Sequence, residues 1–515
     1  MPSRWRPALA GLTLCTAWLA AGVPAAAQTP DPGPAPGVPQ GIASGDVTPH
    51  GAQIWVRAED RARVRVEYGT RSDLVNARTV RPARRATEES DFTAQVRLAG
   101  LEPDTEYHYR VHLTSTRGTQ GDGRSERGRF RTAPDSGTSR ALSFVVGGDV
   151  GGQRYCRRPD RGYDVFDRMA ELRPDFFVAN GDMIYADGDC PAEGPDGPGG
   201  WENVPGDFPG IASPTVDWTN RPVVRDVYRK HWRYNRADRP TQRFLRETPM
   251  YAQWDDHEVI NDFGAPWTHW YASQRERRGY PNLVEEGRAA FFDWSPIRRN
   301  RTEENRIYRS FSWGEDADLF LLDQRSYRSR NDIADTPENA KTLLGREQLA
   351  WIKANLRDSQ ATWKVVSQDV PFSILTGSLA NGRDGWANGQ TDQGFEREAL
   401  DLLRFLDAQD VDNLAFVVTD VHNAQNIRYS LDADGDGDQL VFHEFVTGPL
   451  SAVRVPPGEL DPSLSPTRLF AEGGLANFGH YRIREAADGQ VHFQAEVRGE
   501  DGTTRPGSQV DLAPR

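Results

Sequence analysis

Cysteine, long apolar runs and surplus positive charge are scarce in this chain, and each scarcity removes a class of reading. Among 515 residues there are three cysteines. Cys15 falls in an amino-terminal segment expected to be removed, which leaves Cys156 and Cys190 with room for one disulfide; thiolate ligation of a metal is the alternative use of the pair. Beyond residue 27 no apolar run approaches the roughly 18 residues a bilayer-crossing helix needs, so no transmembrane span is expected in the mature chain. The formal net charge is −13 and the isoelectric point near 5.4. A polyanion would be repelled at long range, so no nucleic-acid-binding surface is expected, and a phosphate-bearing substrate would need locally placed cations. A Gly-x-Ser-x-Gly nucleophile elbow is also missing, which argues against a serine hydrolase.

Arg4 and Arg6, the apolar stretch from Ala8 to Val23, and Ala25-Ala26-Ala27 before Gln28 have the layout of a secretory signal peptide over residues 1–27. Export to a secreted or periplasmic location is expected; Arg4 and Arg6 flank Trp5 and are not paired, which leaves the export route open. Residues 28–38 form a Pro/Gly-rich leader. Residues 39–135 then carry short alternating runs such as Gln53–Arg57, Val64–Tyr68, Phe92–Leu98 and Tyr107–Leu113, the pattern of a small all-β domain of the fibronectin type III kind. Tyr107 is the candidate tyrosine-corner residue, and His108 and His112 read as surface. From Leu142 onward, strands alternate with helical stretches, among them Asp164–Leu172 and Arg346–Leu356, which predicts a layered α/β domain over residues 140–500. The unpatterned, Gly- and Pro-rich stretch 187–222 is expected to be a lid or rim, and the loop from Asp187 to Trp218 with aromatic residues such as Trp267, Trp270 and Trp386 is expected to form the rim that sets substrate choice.

Five apolar runs in this region stop at a carboxylate: Phe144–Asp149, Phe176–Asp182, Tyr251–His257, Leu319–Asp323 and Leu414–His422. Parallel strands in an α/β layer present their carboxyl ends on one rim, so these acids are expected to meet there. Carboxylates packed that closely repel one another, and bound cations resolve the repulsion. Asp149, Asp182, Asp256 and Asp420 are therefore candidate metal ligands. Asn261 follows Asp256 closely. His422 shares a face with Asp420 at i+2, and Tyr185 offers a phenolate suited to ferric iron. His257 is the candidate contact to phosphate or leaving group, and Arg325 either grips phosphate or pairs with an Asp. Asp432–Asp438 opens like an EF-hand loop, yet position twelve is His443 and the flanks read as strands, so a hairpin turn with optional surface calcium is expected. His480 is a weaker candidate.

Taken in order, Gly181-Asp-Met-Ile-Tyr185, Trp254-Asp-Asp-His-Glu-Val-Ile-Asn261, Asp323-Gln-Arg-Ser-Tyr-Arg328, Leu344–Trp351, Thr419-Asp-Val-His422 and Glu444–Thr447 resemble the alkaline phosphatase D (PhoD) family of metallophosphatases, and Gly41–Pro49 resembles the start of its amino-terminal β domain. The resemblance implies a two-layer metallophosphatase β-sandwich flanked by helices. It implies Fe3+ and Ca2+ in the site and hydrolysis of phosphomonoesters or phosphodiesters by attack of metal-bound hydroxide. By the same resemblance Asp182 and Tyr185 would bind iron with Asp182 bridging, Asp256 or Asn261 would serve the second metal, Asp420 and His422 the far side, and His257 and Arg325 would face the phosphate. The family usually has Cys at the end of the first strand; here Asp149 stands there. A small-molecule or lipid phosphate ester is the expected partner of a monomer. The other readings are a phospholipase D-type phosphodiesterase and a calcium-holding cell-surface binding protein.

Overall fold

The computed structural model describes residues 37–82, 85–115, 124–211, 213–264, 281–379 and 382–515. The expected signal peptide, most of the leader, and the rim candidates Trp267 and Trp270 lie outside the described residues. The alternating runs of the first part become seven strands: β1 (Ile42–Thr48), β2 (Gly51–Arg57), β3 (Ala62–Gly69), β4 (Arg78–Val80), β5 (Thr93–Ala99), β6 (Glu106–Ser115) and β7 (Arg124–Arg131). Tyr107 Oη accepts the Glu102 N–H at 2.9 Å, which makes the corner expected from the sequence. His108 and His112 pair with Glu106 and Glu67 on this domain's strands.

Strands β4-β3-β6-β7 form one antiparallel sheet, and β1, β2 and β5, whose Ile54, Val56, Val96 and Leu98 share a buried core with its Val64, Val66, Tyr109 and Val111, form the other layer of the expected all-β domain. The latter three strands also extend the main sheet, because β1 pairs in parallel with β10 (Met250–Gln253) at Gly45 and Met250. The approach requires glycine: a Cβ on Gly45 would lie 2.5 Å from the Met250 carbonyl oxygen.

The remaining elements are β8 (Leu142–Gly147), α1 (Val165–Glu171), β9 (Phe176–Asn180), α2 (Arg221–Arg236), α3 (Arg239–Glu247), the strand β10, α4 (Pro281–Trp294), β11 (Arg309–Trp313), β12 (Ala317–Leu321), α5 (Gly345–Asp358) and β13 (Trp363–Ser367). They continue through the short β14 (Gly377–Ser378) and β15 (Gly382–Arg383), α6 (Glu396–Asp407), β16 (Leu414–Val418), β17 (Ala424–Leu431), β18 (Leu440–Val446), β19 (Pro466–Glu472), β20 (Asn477–Glu485), β21 (Val491–Gly499) and β22 (Val510–Leu512). One sheet runs β22-β21-β20-β8-β9-β10-β1-β2-β5 and the other β11-β12-β13-β16-β18-β17-β19. β22 lies past the expected domain end near residue 500 and still pairs with β21.

The two sheets face each other through Phe144, Val146, Phe176 and Val178 on one side and Leu319, Leu321, Val365 and Val417 on the other. Because side chains alternate along a strand, the intervening residues face outward: Val145 and Phe177 pack under Phe166, Phe244 and Phe291 of α1, α3 and α4. Val366, Phe416 and Val418 likewise pack under Ile352, Leu402 and Leu406 of α5 and α6. Both faces are covered, so these strands read as unbroken apolar runs. Strands β8, β9 and β10 are mutually parallel, as are β12, β13 and β16.

Candidate metal centre

Each strand of interest ends in a turn that re-aims its acid. Asp149, Asp182, Asp420 and His422 all have left-handed backbone, with φ of 59°, 52°, 65° and 56°. Such conformations are uncommon outside glycine and cost on the order of 1 kcal/mol or more each, so four at one rim mark a site where geometry is imposed by the surrounding structure. The turns interlock through Glu258, whose carboxylate accepts N–H bonds from Asp182 at 3.0 Å, Met183 at 2.7 Å and Asp255 at 2.9 Å. Gly181 permits this: a Cβ there would sit 2.4 Å from that of Asp255.

Ligand atoms of Asp149, Asp182 and His422 lie within 4.8 Å of one another, all buried. His422 Nδ1–H donates to the Val453 carbonyl at 2.8 Å, which leaves Nε2 as an acceptor on the side of Asp149, 3.3 Å from its Oδ1. The Tyr185 hydroxyl donates to that Nε2 at 2.8 Å and lies 3.3 Å from Asp149 Oδ1. A second group joins Asp182 with Asp256 and His257, a third Asp255 with Asp256 and Asp420, and a fourth Asp256 with Asp262 and Asp384. Asp182 thus belongs to two neighbouring groups and Asp256 to three. Asn261 lines the same cavity, and its backbone N–H donates to Asp187 at 3.1 Å.

The electrostatics call for cations. Burial, then Asp256, Asp255, Glu258 and Asp149, push the Asp182 carboxyl well above the usual range, and burial with Asp255 and Asp256 does the same to Asp420. Burial and the adjoining Asp182 and Asp149 also hold the Tyr185 phenol in its neutral form. The residues present fit metal ions: Asp149 Oδ2, Asp255 Oδ2 and Asp256 Oδ1 are buried without a hydrogen-bond partner, where a charged oxygen is costly unless something positive meets it.

His257 stacks on Tyr185 with ring centroids 4.0 Å apart, and its Nδ1–H donates to Asp187 at 2.7 Å. Burial alone would lower its pKa, but Asp187 and Asp256 outweigh it and raise it to about 10. Arg325 takes the second of its two expected roles, the pairing with Asp. It is fully buried beneath the cavity and not facing it, with Nε 2.5 Å from Asp255 and Nη1 2.8 Å from Asp384; Nη2 lies 3.6 Å from Asp256 and 3.7 Å from Asp420. Its charge is spent on carboxylates, which makes it the floor of the site and not a phosphate grip.

A cavity of about 480 Å³ opens over this floor, lined by Asp182, Asp256, His257, Asp420 and His422 together with the apolar Ile374, Leu375, Val421, Val455 and Pro456.

The PhoD-like phosphatase model matches residues 144–493 and that of the PhoD-like phosphatase N-terminal domain matches residues 24–134. The chain belongs to the PhoD-like phosphatase family. Alkaline phosphatase D of Bacillus subtilis (strain 168) is 24% identical over 438 residues, 79% of this chain and 68% of that protein. A solved structure of PhoD matches with a TM-score of 0.65 at 19% identity, covering 93% of this chain and 92% of that one. A purple acid phosphatase, PPD1 from yellow lupin (Lupinus luteus) seeds, matches at 0.58 and 13% identity, covering 92% and 73%. At these identities the solved structures carry the fold, and with the family match they make this PhoD-like chain a metallophosphoesterase.

Several residues of this PhoD-like site escape a reading by strand ends. Asp255 and Asp262 join the ligand groups beside the expected Asp256 and Asn261. Asp384 follows the two-residue strand β15, and Asp187 opens the long loop, so neither carried a signal. Asp323 goes the other way: its Oδ1 accepts from the Trp254 indole at 2.9 Å and from the Arg325 and Ser326 amides, closing a turn outside the cluster. His480 bridges Glu496 and Ser143 on the sheet and belongs to no ligand group among the described residues. The expected rim also shifts: among the described residues the cavity is lined by 374–377, 455–456 and 458–459, with none from the 187–218 loop. Trp386 is wholly buried and stacks on Phe372. The Asp432–Asp438 segment is the turn of the β17–β18 hairpin, as its flanks implied. Cys156 and Cys190 are bridged.

Proposed function

We propose that this PhoD-like phosphatase is exported, acts as a monomer, and hydrolyses phosphomonoesters and phosphodiesters with Fe3+ and Ca2+ in its site. The observation that carries the reading is the position of Asp182 in two ligand groups, each with a buried, unpartnered carboxylate oxygen from Asp149 or Asp256. Asp149, Asp182, Tyr185 and His422 would hold iron, the phenol being the donor that favours the ferric state. Asp256, Asn261 and Asp420 are hard oxygen donors suited to calcium. Such ions supply a water of lowered pKa and neutralise phosphoryl charge.

The protein's own residues do the rest. His257 lines the cavity with Nδ1 held by Asp187, where its Nε2 would meet phosphate and give a proton to the departing oxygen. Arg325 and Glu258 hold the acids and the turns in place from below. The apolar lining of Ile374, Leu375 and Val455 supports a second substituent on phosphorus, hence a diester, and favours a phospholipase D-type diester over a small polar one. Export is supported by the signal-peptide layout and by a disulfide, which persists in oxidising compartments.

Para-nitrophenyl phosphate and bis-para-nitrophenyl phosphate, assayed at alkaline pH with calcium and iron, test the reading. Turnover of either that is lost in Asp182→Ala with the fold retained is the expected result. No turnover of either by the wild-type protein refutes it.

A further inference from the structure

We propose that Asp187 is a positioning residue that orients His257 for proton delivery to the leaving oxygen, an inference that rests on the phosphoesterase reading above. Asp187 belongs to none of the ligand groups, and its side chain is 6% exposed. One oxygen takes the His257 Nδ1–H at 2.7 Å and the other the Asn261 N–H at 3.1 Å. A carboxylate on Nδ1 fixes the imidazole's tautomer and rotation, and here it leaves Nε2 on the cavity side, 3.9 Å from Asp256. The stack on Tyr185 restrains the ring face, so ring tilt and ring rotation are held by different residues.

The backbone carrying Asp187 is itself anchored. Ala186 N–H donates to the His257 carbonyl at 2.9 Å, its own carbonyl accepts the Ile211 N–H at 2.6 Å, and the Gly188 carbonyl lies 3.0 Å from His231 Nε2. Gly210 crosses so close that a Cβ there would lie 2.2 Å from the Asp187 carbonyl oxygen. Cys190, three residues on, is tied to Cys156 in the segment after β8. The long loop, expected to cover the cavity, instead works from behind the histidine.

In the step concerned, the bond from phosphorus to the ester oxygen breaks as the Nε2 proton moves to that oxygen, and the alcohol leaves neutral. The attacking water gives up a proton to solvent, and Nε2 regains one from solvent, so the balance is ester plus water to phosphate plus alcohol. A proton matters most when the departing alkoxide is strongly basic and little when it is p-nitrophenolate.

The test compares kcat on p-nitrophenyl, phenyl and alkyl phosphates for the wild type, Asp187→Ala, Asp187→Asn and His257→Ala, each with metal content and thermal unfolding measured. The expected loss in Asp187→Ala is a few-fold on the p-nitrophenyl ester, rising to roughly 10²-fold on the alkyl ester. Asp187→Asn, whose amide oxygen still accepts from Nδ1–H, should recover most of it, and adding Asp187→Ala to His257→Ala should cost little more. An equal loss on all three esters in either Asp187 variant, or a loss that follows metal content, overturns the proposal. A wild type inactive on every ester overturns the phosphoesterase reading instead.

Discussion

Replacing Arg325 with methionine keeps much of the side chain's length and removes the positive charge that contacts both Asp255 and Asp384. Both acids are buried, and Arg325 itself has no exposed surface. Burial would raise the Asp384 carboxyl, but Arg325 first and Arg328 second hold it at about 2. Breaking a buried pair by removing one partner typically costs about 3–5 kcal/mol, because the other charge stays behind without compensation. Arg328, 3.0 Å from Asp384, keeps part of the compensation for that acid, so about 4 kcal/mol is expected, mostly through Asp255. Unfolding entropy of about 2.1 cal/mol/K per residue over 515 residues gives roughly 1.1 kcal/mol per degree, hence a fall in Tm of about 4 °C. Differential scanning calorimetry of the calcium-loaded protein reads this directly. Calcium should stabilise the variant more than the wild type, since the cluster has lost a positive charge. A variant whose Tm is unchanged while its KM for phosphate esters rises tenfold would refute the floor role and return Arg325 to the phosphate.

In metal-stripped protein, burial raises Asp255 to about 7 and Glu258 to about 8, so the fold binds more protons than the unfolded chain above the ordinary carboxyl range. Its stability should fall as pH rises from about 4 to 8, and the gain in Tm on adding calcium should grow over the same window; a flat or opposite trend by calorimetry rejects the cluster electrostatics. Tyr185→Phe should abolish the visible absorption expected of a ferric phenolate while leaving the far-ultraviolet circular dichroism intact, and an active, colourless wild type containing only calcium, magnesium or zinc rejects the iron assignment. Removing the bridge in Cys156→Ala/Cys190→Ala, which spans a separation of 34 residues, should cost about 3–4 kcal/mol in unfolding free energy; two thiols titrating in unfolded, unreduced wild type would deny the bridge.

Local sequence determined which segments are strands and where an acid follows each, because a run such as Phe176–Asn180 can be satisfied only with both faces covered and its end is punctuated by Gly181. It also determined the Tyr107 corner and the helices near 165–171 and 345–358, whose periodicity is short-range. The direction an acid takes once the strand has ended is a different matter. Asp149, Asp182 and Asp420 turn into the cluster through left-handed backbone, whereas Asp323, equally placed in sequence, does not adopt it and bonds to the next turn. Arg325 was legible as either a phosphate grip or an Asp partner, and only the arrival of Asp255 and Asp384 from residues 70 and 59 positions away chose between them. The joining of β1 to β10 and the reach of Asp187 to His257 are of the same kind. They depend on which strand edges and loops pair across long separations, and those pairings are chosen by burial of whole surfaces, which no local pattern of residues encodes.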